Sequence, residues 1–193
     1  MPKIALYFGT FNPIHIGHMA IANYMLEFSD VERLWFIISP QSPFKQNQNL
    51  LDNYQRLEMV HRAIGDNPKY RAVDIEFKLP IPSYTVDTLA HLAEQYPEHE
   101  FYLIMGEDNL QHLNKWKNYE VILEHHHILA YPRPGSHTPE EFQNHPHIHC
   151  VEAPLMELSS SFIRNAIAEG KDVQHFLPHG AWEYLEEMGF YRR

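Results

Sequence analysis

The sequence predicts an α/β fold built on a mostly parallel sheet. Short apolar runs rich in β-branched and aromatic residues recur through most of the chain. Several of them are continuous rather than alternating, the pattern of strands covered on both faces. Segments of helical period stand between them. The 193 residues, 44% hydrophobic and 21% charged, suffice for one sizeable core, so a single domain over residues 1–193 is expected.

The first run is Lys3–Phe8 (KIALYF), followed by Gly9 and a helical stretch, Ile16–Phe28, with Met19, Ile21, Ala22 and Met25 at helical spacing. Arg33–Ile38 (RLWFII) is the second strand, and Asn53–Ile64, with Leu57, Val60 and Ile64 on one face, the second helix. Tyr70–Ile75 (YRAVDI) and Ser83–Gln95, with Val86, Leu89 and Leu92, repeat the alternation. Glu100–Met105 (EFYLIM), His127–Tyr131 (HILAY) and His147–Val151 (HIHCV) complete the strands. Pro132–Pro146 is rich in proline and polar residues and reads as a loop with at most a short helical turn. Leu158–Ala168 and Pro178–Met188 read as C-terminal helices, the first with serines to cap its start and Gly170 at its stop. In parallel sheets ligands gather outside the carboxyl ends of the strands, here the loops after Phe8, Ile38, Ile75 and Met105.

A formal charge of −10 argues against a broad phosphate-tracking surface, so no nucleic-acid partner is expected, although a pocket can still be locally positive. Cys150 is the only cysteine; no internal disulfide can form, and a reducing compartment is expected. MPKIALYF carries one lysine before a short apolar run and lacks the long apolar segment of a signal peptide or membrane span. A cytoplasmic protein without membrane association is expected. A homo-oligomer is compatible with the sequence.

Residues 9–18, GTFNPIHIGH, form the turn from first strand to first helix. Gly9 follows the strand directly, where a missing side chain lets a phosphate or sugar approach the backbone. Helix N-termini attract anions, and His15 and His18, three apart, can face one side of this one. A His-x-x-His zinc pair is the alternative, but zinc needs three or four ligands and no cysteine or carboxylate lies nearby in sequence. The histidines at 125–127 and 145–149 read as surface or strand-end residues.

Four further stretches carry chemistry: SPQSPFK ending at Lys45, SYTVDTL from Ser83, GEDNLQHLNKW from Gly106 to Trp116, and LSSSFIR from Leu158 to Arg164. Ser83 and Thr85 could cap a helix, and Asp87 complements its dipole. Serines at a helix start expose N–H groups and hydroxyls to phosphate, and Arg164 adds a fixed charge. Trp116 has polar neighbours that argue against full burial.

GTFNPIHIGH is similar to the HxGH signature of the nucleotidyltransferase superfamily that also includes class I aminoacyl-tRNA synthetases. A length of 193 residues leaves no room for tRNA-binding domains, and there is no KMSKS-like lysine loop. With the four stretches, and with Arg133 in an RPG-like loop, nearly the whole chain resembles bacterial nicotinate-nucleotide adenylyltransferases. Those enzymes join the AMP part of ATP to nicotinate mononucleotide (NaMN). The resemblance implies a Rossmann-like, doubly wound sheet with C-terminal helices, ATP and NaMN as partners, and Mg²⁺ carried with ATP rather than held by a protein metal site. It implies ATP contacts at Gly9, Thr10, Phe11, His18, Gly106, Asp108, Arg133, Ser160, Ser161 and Arg164. It implies NaMN contacts at Lys45, Tyr84, Thr85, Trp116 and Lys117, and a catalytic set of His15, His18, Lys45 and Arg164. The chain departs from the family pattern in having one glycine rather than two before Thr10, Asn12 for the more familiar Asp, and Ser161 for Thr.

Overall fold

A computed structural model describes residues 1–40 and 50–192. Those residues form one six-stranded sheet of β1 (Lys3–Gly9), β2 (Arg33–Ile38), β3 (Tyr70–Val73), β4 (Glu100–Gly106), β5 (His127–Tyr131) and β6 (Ile148–Cys150). The order is β3-β2-β1-β4-β5-β6 and every pairing is parallel. The helices are α1 (Ile16–Phe28), α2 (Asn53–Ile64), α3 (Thr85–Gln95), α4 (Glu107–Leu110), α5 (Tyr119–His125), α6 (Ser160–Ala168) and α7 (His179–Met188).

The continuous apolar runs follow from two cores. On β1, Ala5 and Tyr7 face one core with α1, α2, α6 and α7, while Ile4 and Leu6 face the other with α3 and α5. Each central strand is therefore buried on both faces. Strand order reverses between β1 and β4, which opens a crevice at their carboxyl ends. Among the described residues no helix is long and apolar enough to cross a membrane.

Several boundaries differ from the sequence reading. β3 stops at Val73 rather than Ile75, because the chain turns there into a 3₁₀ segment, Ile75–Lys78. α3 starts at Thr85 rather than Ser83; its N-cap is Tyr84, with no side-chain cap bond, and the Ser83 hydroxyl instead donates to Glu76 at 3.0 Å. β6 is shorter than its apolar run, and α6 starts at Ser160 with Ser159 as its cap, the hydroxyl accepting from the Phe162 N–H at 3.2 Å. Gly170 follows α6 with φ +76°, a left-handed stop that glycine adopts without steric cost. α4 and α5 have too few residues to show a helical period.

Candidate active site

Two cavities flank the carboxyl end of β1 and share Phe8, Gly9, Thr10 and Asn109 as a dividing wall. The first is polar and is built around GTFNPIHIGH. Phe11 is buried with φ +47°, and its ring covers Gly9: a Cβ there would lie 3.0 Å from Phe11 Cζ. Gly9 thus makes room for an aromatic ring as well as exposing its backbone to both cavities.

His15 caps α1. Its Nδ1 accepts from the N–H groups of Gly17 (3.1 Å) and His18 (3.4 Å), while His18 Nδ1 accepts from the His15 N–H (3.1 Å). This reciprocal capping box stacks the two rings at 3.8 Å between centroids and 26° between planes. A Cβ on Gly17 would sit 2.9 Å from His15 Nδ1 and Cε1, so the glycine of HIGH lets the His15 ring fold back over the helix start. Because each Nδ1 accepts, each ring carries its proton on Nε2 and is a donor there. Burial, and then the Arg133 charge, hold the His15 pKa down to about 4, so this imidazole is neutral at pH 7.

α6 is tied to the same turn. Arg164 Nη1 donates to the Asn12 carbonyl at 2.8 Å, Arg164 Nη2 to Ser161 Oγ at 3.2 Å, and Ser160 Oγ to the Pro13 carbonyl at 2.9 Å. With its hydroxyl hydrogen used there, Ser160 has its backbone N–H left to offer as a donor. Across the cavity, Arg133 Nε lies 3.7 Å from Asp108 Oδ2, and Arg133 Nη1 donates to the Met156 carbonyl at 3.0 Å. Gly106 leaves the space these two side chains fill, since a Cβ would meet Asp108 Oδ1 at 2.3 Å and Arg133 Cγ at 2.8 Å. Among the described residues, two guanidiniums, two imidazole donors and the starts of α1 and α6 face one carboxylate across this cavity, a setting for a polyanion.

The second cavity is largely apolar. Phe8, Val86 and a partly buried Trp116 line it and pack on the α3/α5 core. Tyr84 and Thr85 bring in the start of α3, and Lys117 Nζ lies 2.8 Å from Asp87 Oδ2 and 4.9 Å from the Tyr84 ring centroid.

A family model described as cytidylyltransferase-like matches residues 6–166. A curated Flavobacterium johnsoniae protein named "Probable nicotinate-nucleotide adenylyltransferase" is 56% identical over 193 residues, covering 99% of this chain and all of the relative. A Flavobacterium psychrophilum protein of the same name is 53% identical over 192 residues, covering 99% and 100%. The chain belongs to the nicotinate-nucleotide adenylyltransferase family. The fold agrees: a solved Plasmodium falciparum nicotinic acid mononucleotide adenylyltransferase complexed with NaAD superposes with a TM-score of 0.82 at 19% identity, covering 99% of this chain and 98% of that one.

The motifs that resemble those of nicotinate-nucleotide adenylyltransferases gather at the two cavities. Gly9, Thr10, Phe11, His15, His18, Asp108, Arg133, Ser160, Ser161 and Arg164 line the polar one, and Gly106 supports Asp108 and Arg133 from beneath; Tyr84, Thr85, Trp116 and Lys117 line the apolar one. Lys45 lies outside the described residues. Among the described residues no group of three His, Cys, Asp or Glu is placed to hold a metal. His127 and His149 do meet, Nδ1 to Nε2 at 3.0 Å, with the His147 ring 4.5 Å from that of His127, but His127 opens β5, at the strand ends away from both cavities.

Three residues escaped sequence reasoning. Asn109 belongs to the dividing wall. Arg56, fully buried, donates to the carbonyls of Thr10 (2.7 Å), Ser39 (2.8 Å) and Leu51 (3.0 Å) and to Asn53 Oδ1 (2.6 Å), bracing the loops after β1 and β2. Its signal was present: Arg56 shares the buried face of α2 with Met59 and Val60, at i+3 and i+4. Glu76 is buried in the wall of the apolar cavity.

Proposed function

We propose that this chain transfers the adenylyl group of ATP to NaMN, giving nicotinate adenine dinucleotide and pyrophosphate in NAD biosynthesis, as a single cytoplasmic nucleotidyltransferase domain. The observation that carries this reading is the meeting of a polyanion cavity and an aromatic-lined cavity across Gly9 and Thr10, where a phosphate from each substrate can come together.

An oxygen of the NaMN phosphate attacks the α-phosphorus of ATP; the new P–O bond forms as the bond to the β-phosphate oxygen breaks, and pyrophosphate leaves. The nucleophile needs no general base, because a phosphate monoester with a second pKa of about 6 is largely ionised at neutral pH. Catalysis is therefore alignment and charge stabilisation. His18 and His15 donate from Nε2 to the α-phosphate as charge builds there. Arg164, Lys45 and the start of α6 at Ser160 and Ser161 receive the leaving pyrophosphate. Asp108 bonds ribose hydroxyls and Arg133 borders the adenosine and phosphates. Trp116 stacks on the pyridinium, an attraction of the cation–π kind. The backbone at Thr85, with Tyr84 and Lys117 beside it, takes the nicotinate carboxylate. With Asp108 as the one carboxylate lining the polar cavity among the described residues, the donor set suits a Mg²⁺ that would enter on ATP phosphates with its waters rather than one held by the protein.

Pyrophosphate release, measured in parallel with nicotinate and nicotinamide mononucleotides, tests the reading. Turnover with a higher kcat/KM for the acid is expected, since a neutral carboxamide uses N–H donors and Lys117 less well than a carboxylate. No turnover with either removes the function; a preference for the amide removes the carboxylate assignment.

A further inference from the structure

We infer that Glu76 is a positioning residue that holds the start of α3 in place and thereby sets the selectivity for an acid over an amide; this rests on the function proposed above. Glu76 lies in the 3₁₀ segment after β3 and is only 2% exposed. Its Oε2 accepts from Ser83 Oγ at 3.0 Å and its Oε1 from Thr88 Oγ1 at 2.8 Å. One buried carboxylate thus collects hydroxyls from the residue ahead of the α3 cap and from the first turn of α3.

Ser83 and Thr88 bracket the residues that matter for the substrate. The Tyr84 carbonyl accepts the first helical bonds, from Asp87 at 3.0 Å and Thr88 at 3.2 Å. The N–H groups of Thr85 and Val86 precede those bonds, have no acceptor within the helix, and belong to residues lining the apolar cavity. Such donors favour an anionic carboxylate over a carboxamide only while they are held in place, and Glu76 holds the hydroxyl side chains on both sides of them. Burial raises the Glu76 pKa, and the hydroxyl bonds from Ser83 and Thr88 oppose that shift. Both carboxylate oxygens take part in the clamp, one on each hydroxyl. Glutamine retains one, and its amide can donate to the other hydroxyl; alanine retains neither.

The test uses the full chain as wild type, Glu76→Ala, Glu76→Gln and Thr88→Val, with kcat and KM for NaMN and ATP, calorimetric binding of NaMN, the acid-to-amide ratio of kcat/KM, and thermal unfolding. Glu76→Ala is expected to raise KM for NaMN and to lower the acid-to-amide ratio, each roughly tenfold, with KM for ATP nearly unchanged. Glu76→Gln should recover most of both losses, and Thr88→Val, which removes one hydroxyl while keeping the shape, should lower the ratio by a smaller factor. Should Glu76→Ala fail to fold, Thr88→Val and Glu76→Gln carry the decision. An unchanged ratio in Thr88→Val, a Glu76→Ala enzyme that is merely less thermostable, or a Glu76→Gln enzyme as unselective as Glu76→Ala each overturns the clamp. If wild type neither binds nor turns over NaMN, the proposed function falls and the clamp with it; if wild type does both, a failed variant pattern removes the clamp alone.

Discussion

The polar cavity draws its donors from two short stretches, GTFNPIHIGH and LSSSFIR, joined to the RPG-like loop and Asp108, whereas the apolar cavity is assembled from segments scattered between Phe8 and Ile122. In the first, bonds to the backbone orient the side chains: His15 and His18 cap one helix and each other over two or three residues, and Ser160 and Arg164 of α6 donate to carbonyls of the same turn. In the second, long-range side-chain bonds orient the backbone: Glu76 reaches seven residues to Ser83 and twelve to Thr88, and Lys117 reaches thirty to Asp87. A local box gives the rigid placement that charge stabilisation in a transition state requires. Binding a flat ring tolerates the looser construction. The two cavities should therefore respond differently to substitution, one in turnover and the other in affinity.

The sharpest way to break that contrast is His18→Ala. Loss of an aligned donor to the reacting phosphate should lower kcat by roughly 10²–10³, with NaMN binding nearly unchanged. Single-turnover formation of the dinucleotide, beside a direct NaMN binding measurement, reads the two effects separately. Near-normal turnover would deprive the polar cavity of its catalytic role.

His15 sharpens the same point through stability. Its pKa is about 4 in the fold against an ordinary 6.5, so as pH falls the unfolded chain takes up this proton first. The stabilisation is complete above about pH 6.5, declines below it, and is lost by about pH 4, a difference of about 3 kcal/mol at 1.36 kcal/mol per pKa unit. His15→Asn keeps a side-chain acceptor at the N-cap and removes the titration. Urea unfolding at a series of pH values should therefore show wild type losing about 3 kcal/mol more than the variant between pH 7 and 4. Parallel curves would mean that the His15 ring is not held neutral by its cap.

The same contrast explains what could be read from the sequence. Every strand was readable as an apolar run, and the long helices by their period, because burial on both faces of β1, β2 and β4 leaves a pattern in adjacent residues. The capping box was half readable: a spacing of three put His15 and His18 on one side, but the role of Gly17 in admitting the His15 ring is a matter of contact at 2.9 Å. Glu76 and Arg56 were not read, because a charged residue in a helical or turn segment is ordinarily solvated and the partners that bury them include Thr10 and Ser39 for Arg56 and Thr88 for Glu76, on other elements of the fold. Ser83 was misread as a cap for the same reason: its nearest backbone acceptor role was plausible locally, and a buried carboxylate seven residues upstream competed for it successfully.

The smallest of these effects, and the one that tests the division between cavities most directly, is Trp116→Ala. The indole lines only the apolar cavity and packs against the α3/α5 core while remaining partly exposed, so its removal opens the wall without collapsing the polar side. Losing one aromatic face against a pyridinium costs about 1–2 kcal/mol, which is roughly tenfold in KM for NaMN. The Michaelis constant for ATP should change little, and Trp116→Phe, which keeps a smaller π-face, should recover part of the loss. Initial rates with each substrate varied at saturating levels of the other distinguish the outcomes. A rise in KM for ATP equal to that for NaMN would show that the wall at Gly9 and Thr10 does not separate two binding regions, and the comparison between them would fail there.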